Sequence, residues 1–289
     1  MPYSAFHSTV AQILDGSFTP INSADEAAYL EEWTKAAAPL TTPLALAIAG
    51  GAIADRLAWV FIAGYQAANR RVFPELPMDG WVAYLASEDR KGEFPGVTAE
   101  ARDGGFVLSG HKTWLAASDH AQHLVISVGE RDERRCFFVD RDTEGVSIFT
   151  YDRASYLGDM SQGRATFEGV AVAPSNVVTD HVFGNSEPLY VLTAAASSIL
   201  SHSHSRGGPL ALEGRALAAI AAAASLSEID PTDSQVTLGL VGVAADVDAV
   251  ATEFEAFLAD TDEALLGRWS TDRRLITMFT AGLERRAGA

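Results

Sequence analysis

The spacing of apolar residues changes twice along the chain. From Ser23 to Arg71 the sequence is rich in alanine; Ser23 and Asp25 are placed to cap a helix over Glu26 to Trp33, and Thr41-Thr42-Pro43 reads as the start of another. From Trp81 the apolar residues fall in short β-rich runs, at 81–86, 106–108, 123–128, 136–139, 146–149 and 164–172. Turns at Asp103-Gly104-Gly105, Ser109-Gly110, Glu144-Gly145 and Ala173-Pro174 divide them. Strands joined by short turns without intervening helices predict an antiparallel barrel or sandwich. After about Thr179 the helical period returns, with Leu210, Leu217, Ile220 and Ala224 on one face of a segment that Ile229-Asp230-Pro231-Thr232-Asp233 ends. Val243, Val247, Val250, Phe254, Phe257 and Leu258 make one stripe on a helix ending near Asp260, and Leu265, Trp269, Ile276, Phe279 and Leu283 line a last helix. The expected organisation is α+β: an N-terminal helical domain over 1–80, a central β-barrel domain over 81–179 and a C-terminal helical domain over 180–289.

Composition narrows the function. With 48% hydrophobic and 20% charged residues the 289-residue chain can bury a core. Its 38 acidic and 21 basic residues leave a net charge of −17, which disfavours nucleic acid and anionic membrane surfaces as partners. The acidic run from Asp246 through Glu263 reads as the solvated face of a helix. The single cysteine, Cys136, excludes an internal disulfide and reads as a core residue in a strand. No run of eighteen apolar residues occurs, and Met1 to His7 lacks the basic flank and apolar block of a signal peptide, so a cytoplasmic location is expected. His202 and His204 form a His-x-His pair without spaced acidic or cysteine ligands, so no metal site is expected, and no Gly-x-Ser-x-Gly elbow is present.

Four ordered segments carry a resemblance. They are Gly104 to Leu115, with its G-x-K-x-W element Gly110-His111-Lys112-Thr113-Trp114; Asp140 to Ser147; Leu157-Gly158 followed by Ala165 to Val170; and Val172 to Val177. Together they resemble the acyl-CoA dehydrogenases, which implies N-terminal helices, a central antiparallel β-barrel and a C-terminal helical bundle, here shortened. The resemblance implies FAD as cofactor, an acyl thioester as substrate and α,β-desaturation as the reaction. It places Trp114 against the isoalloxazine, and it places Tyr84, Ala86 and Ser87 at the strand end whose backbone and hydroxyl face the flavin.

The departures from the family pattern are as informative. Ala116 stands where the family has a hydroxyl toward the flavin N5 edge, so one donor is lost. Glu93 stands where a small hydroxyl would approach the cofactor or CoA phosphates, so FAD is expected to be weakly held, shared or lost. Thr280 stands at the usual position of the catalytic glutamate, and a neutral hydroxyl takes an α-proton poorly. Ser201 to Gly208 reads either as a solvated polar loop or as the place of a displaced base, His202, on the first helix of the last domain. The leading expectation is a flavin oxidoreductase with a remodelled or shared site. The alternatives are a catalytically silent subunit beside a fuller homologue, and a cofactor-free enzyme on the same fold. A homodimer or hetero-oligomer is expected, with the stripe from Val243 to Phe254 and the Trp269 face forming either a subunit contact or an internal core.

Overall fold

The computed structural model of the chain describes residues 2–129, 133–152, 154–179, 181 and 183–288; residue 180, where the last domain was expected to begin, lies outside them. Two compact units are present. One joins residues 1–79 to 182–289, and the other is 80–181.

In the helical unit, both expected helix starts are capped as the sequence suggests. Asp25 accepts from the Ala28 amide at the head of α2 (Glu26–Ala37), and Thr42 accepts from Ala45 at the head of α3 (Pro43–Ile53). Helix α1 (Pro2–Leu14) was not anticipated, although Phe6, Val10 and Ile13 already mark its buried side. Every residue of α3 from Leu44 to Ile53 is buried, as a helix apolar all round must be. Helices α3 and α4 (Leu57–Val72) pack on α5 (Ser186–Ser205), which also meets α6 (Leu210–Leu226) and α7 (Ser234–Thr261). The expected last helix is two: α8 (Glu263–Thr271), capped by Asp262 at the Leu265 amide, and α9 (Arg274–Ala287), with the turn at Asp272-Arg273 between them. The stripe Val243, Val247, Val250, Phe254 is internal: all four are buried, and Phe254 meets Trp269 edge to face at 5.1 Å between ring centroids. Of the two expected roles, subunit contact or internal core, the structure has the second, because these side chains already have partners within the unit. By length and composition α7 is apolar enough to cross a membrane, and nine of its side chains are buried, as in a core helix.

The β unit corrects the all-antiparallel barrel. Among the described residues, eight strands form two four-stranded sheets, β1-β4-β5-β8 and β2-β3-β7-β6. These are β1 (Trp81–Leu85), β2 (Thr98–Arg102), β3 (Gly105–Ala116), β4 (Ala121–Val128), β5 (Arg135–Asp140), β6 (Val146–Thr150), β7 (Gln162–Val172) and β8 (Val177–Val178). Strands β1 and β4 run parallel, since the chain leaves the first sheet for the β2–β3 hairpin of the second and returns to it beside β1. The hairpin turns at Asp103-Gly104, both at positive φ, the geometry that Asp-Gly favours. The sheets share one core, with Ala83, Leu85, Leu124, Ile126 and Phe137 from the first facing Leu108, Leu115, Ala165, Phe167 and Val170 from the second. The arrangement is a sandwich.

Candidate functional site

Strand β1 ends at Leu85, and Ala86, Ser87 and Glu88 leave the sheet exposed. The Ser87 carbonyl accepts from the Thr113 amide at 2.9 Å, which sets Ser87 beside the Lys112-Thr113-Trp114 stretch of β3. Lys112 is buried, and its Nζ donates to Glu88 Oε1 at 2.5 Å; burial lowers its pKa, opposed by the Glu88 carboxylate. This pair ties the end of β1 to β3. Glu88→Gln should leave a buried cation without its counter-charge and cost about 2 kcal/mol, a figure reduced because Glu88 is half-exposed. Chemical denaturation checks this; an unchanged midpoint would mean that the pair adds nothing.

Trp114 is half-buried, and its indole N–H donates to Gln162 Oε1 at 3.1 Å. Gln162 is held in turn by donating to the Tyr156 carbonyl at 2.6 Å. Ala116 is buried opposite Gln162 in the ladder and presents only a methyl. Tyr84 is not brought to this group. Ala83 and Leu85 face the shared core, so the alternation of the strand sends Tyr84 to the outer side of the first sheet. There its phenol hydrogen-bonds with Ser127 and Cys136, and burial raises its pKa. Cys136 is a buried thiol on that outer side, pushed up to about 12 by burial, with His181 Nε2 at 3.1 Å from Sγ.

Sequence reasoning missed the next feature. The Asp89 carboxylate accepts from the amides of Lys91 (2.8 Å), Glu93 (2.7 Å) and Phe94 (3.1 Å), and these backbone bonds lower its pKa. Glu93, expected to repel a phosphate, is exposed in this loop. The loop delivers Phe94 to the Arg164 guanidinium, which also lies over Phe149 of β6, each ring centroid 4.6 Å from Cζ. The available signal was the alternation of β7, in which Gly163, Ala165 and Phe167 point to the core and Arg164 away.

In the helical unit, His202 lies on α5 rather than in a loop and is 1% exposed. Its Nε2 donates to the Ala54 carbonyl at 2.9 Å, and its Nδ1 accepts from Arg206 Nη1 at 2.9 Å. Burial, then the Arg206 charge, lowers its pKa to about 3. The ring is neutral and both nitrogens are engaged. His204 is turned elsewhere, toward Glu213 Oε2 and the Leu14 carbonyl. Thr280, half-buried on α9, donates its hydroxyl to the Ile276 carbonyl one turn back at 3.2 Å. Neither position holds a group ready to accept a proton.

Solved structures share this architecture from end to end. The butyryl-CoA dehydrogenase of Megasphaera elsdenii matches with a TM-score of 0.68 at 12% identity, over 99% of this chain and 97% of that one. The chain has the acyl-CoA dehydrogenase fold. PigA with FAD and proline matches at TM-score 0.64 and 13% identity, and the ChsE4–ChsE5 complex of Mycobacterium tuberculosis at 0.61 and 14%, each over 99% of this chain and 96% of the other. Neither a protein-family model nor a curated protein matches the sequence. Within this fold, the structure brings Ser87, Lys112, Trp114 and Ala116 to neighbouring positions of the β unit, with Tyr84 on its other side.

Proposed function

We propose that the chain is a divergent acyl-CoA dehydrogenase-like flavoprotein acting on an acyl thioester, and that it works beside a fuller homologue which supplies the base. The observation that carries this reading is the state of the two base positions: His202 has both ring nitrogens committed in the core, and the Thr280 hydroxyl is committed to its own helix.

The β unit fits a flavin in part. Trp114 offers a fixed, half-buried aromatic plane, Ser87 an exposed hydroxyl, and Arg164 a cation that meets no acceptor among the described residues, whereas Ala116 supplies no donor. FAD, when bound, supplies the acceptor for a hydride from the acyl β-carbon. Trp114 would then orient the ring, Ser87 would donate to it, and the Lys112–Glu88 pair would hold the strand end carrying both. With no proton acceptor at 202 or 280, the α-proton is assigned to a carboxylate of the second chain, as an efficient desaturation needs a positioned base. The ChsE4–ChsE5 complex is a precedent for two chains of this fold assembling together.

The test is to purify the chain alone and coexpressed with homologues encoded beside it, recording flavin absorbance and turnover of saturated acyl-CoAs. The chain alone should be inactive and the pair active. Robust turnover by the chain alone would refute the shared site. Trp114→Ala should weaken flavin binding about five- to tenfold, read by titration of the apoprotein. Thr280→Glu should raise turnover of the isolated chain by about 100-fold if that position marks the lost base.

A further inference from the structure

We propose that Arg164 is a phosphate-receiving group, poised to take a phosphate ester on the outer face of the second sheet. Its guanidinium lies over two rings, that of Phe149, its cross-strand partner in β6, and that of Phe94, from the loop that Asp89 organises, each 4.6 Å from Cζ. Two aromatic contacts restrain the group while leaving its N–H donors to bind a ligand. Among the described residues those donors meet no carboxylate and no hydrogen-bond acceptor, although the chain carries 38 acidic side chains. By contrast, Arg56 is paired with Asp55 and Arg206 with Asp262. The slot is open, since Phe149 is 52% exposed. On the same face of β7, two residues earlier, Gln162 holds the Trp114 indole. A planar fork presented edge-on matches two oxygens of a phosphate.

The inference deepens the proposed function and rests on it for the choice of ligand, because two components of that reaction carry phosphate esters: the pantetheine arm of the thioester and the flavin dinucleotide. Binding, not activity, separates them. The apoprotein and its Arg164→Gln and Arg164→Lys variants would be titrated calorimetrically with pantetheine, 4′-phosphopantetheine, riboflavin and FAD. In the unaltered protein the phosphorylated member of at least one pair should bind about tenfold tighter, the increment of a charge-assisted contact. R164Q should bring that preference to within about twofold of unity without changing the affinity for the unphosphorylated member, and R164K should retain part of it because charge survives without the fork. The pair that loses its preference identifies the source. A pantetheine preference in a protein that binds no flavin would refute the flavin reading and leave this inference standing. No phosphate preference in the unaltered protein, or one that survives R164Q in a variant with an unchanged melting temperature, would overturn it.

Discussion

Replacing Gly64 by alanine should destabilise the helical unit by about 3 kcal/mol or more, the upper range of overpacking costs. A Cβ at Gly64 would lie 2.6 Å from the Val191 amide nitrogen and 2.8 Å from the Tyr190 carbonyl carbon. At Gly51 it would lie 2.6 Å from Ala194 Cα and 2.8 Å from its carbonyl carbon. Carbon atoms in contact prefer about 3.5–4.0 Å. The obstructing atoms are backbone of α5, which cannot rotate aside as a side chain can, so relief requires α3 or α4 to move away from the helix on which both pack. Gly51→Ala should behave in the same way. The controls are Gly214→Ala on α6 and Gly242→Ala on α7, where nothing lies within 4 Å of the added methyl. There alanine should stabilise by about 0.5–1 kcal/mol through helix propensity and a smaller unfolded-state entropy. Urea denaturation of the four variants decides the matter. Gly64→Ala as stable as Gly242→Ala would show that α4 does not approach α5 this closely.

These glycines show what the sequence could and could not reveal. A period is a local property, so the stripe from Val243 to Leu258 announced α7 directly, and Asp103-Gly104-Gly105 announced the turn before β3, though not β2, the strand it pairs with. Neither signal says what lies opposite. The stripe is equally consistent with a subunit contact and with the internal packing against Trp269 that the structure has. Nothing local marks Gly51 and Gly64 in their alanine-rich segment, because their reason, the backbone of residues 190–194, lies far along the chain. Strand direction is similarly silent: alternation places Ala83 and Leu85 inward whether β1 pairs parallel or antiparallel with β4. The fold was legible through motifs such as Gly110-His111-Lys112-Thr113-Trp114, whereas Arg164 was not. Its setting is made by one residue across the sheet and another from a loop about seventy positions earlier.

His202 is the point at which sequence and structure part furthest, and its burial has a consequence in solution. The ring is neutral in the fold, with a pKa of about 3 set by burial and then by Arg206, with Arg268 acting in the same direction and Asp262 and the Ala54 carbonyl opposing. In the unfolded chain it titrates near the ordinary value of 6.5. Between these values the unfolded state binds the extra proton, so stability rises with pH across the window and is lost as pH falls below about 6.5. The slope approaches about 1.4 kcal/mol per pH unit. Between pH 6.5 and pH 5, before most carboxylates titrate, His202 should therefore account for a loss of about 2 kcal/mol. His202→Gln can keep a donor toward the Ala54 carbonyl but cannot titrate. It should be less stable at neutral pH because Arg206 loses an acceptor, yet its stability should fall less between pH 6.5 and pH 5 by that same amount. Denaturant midpoints at several pH values measure the difference between the two slopes. Any acyl-CoA turnover of the chain coexpressed with its homologues, measured beside them, separates a base at His202 from a buried positioning residue. A buried positioning residue changes the pH slope of stability and leaves the pH profile of turnover in place; a general base does the reverse.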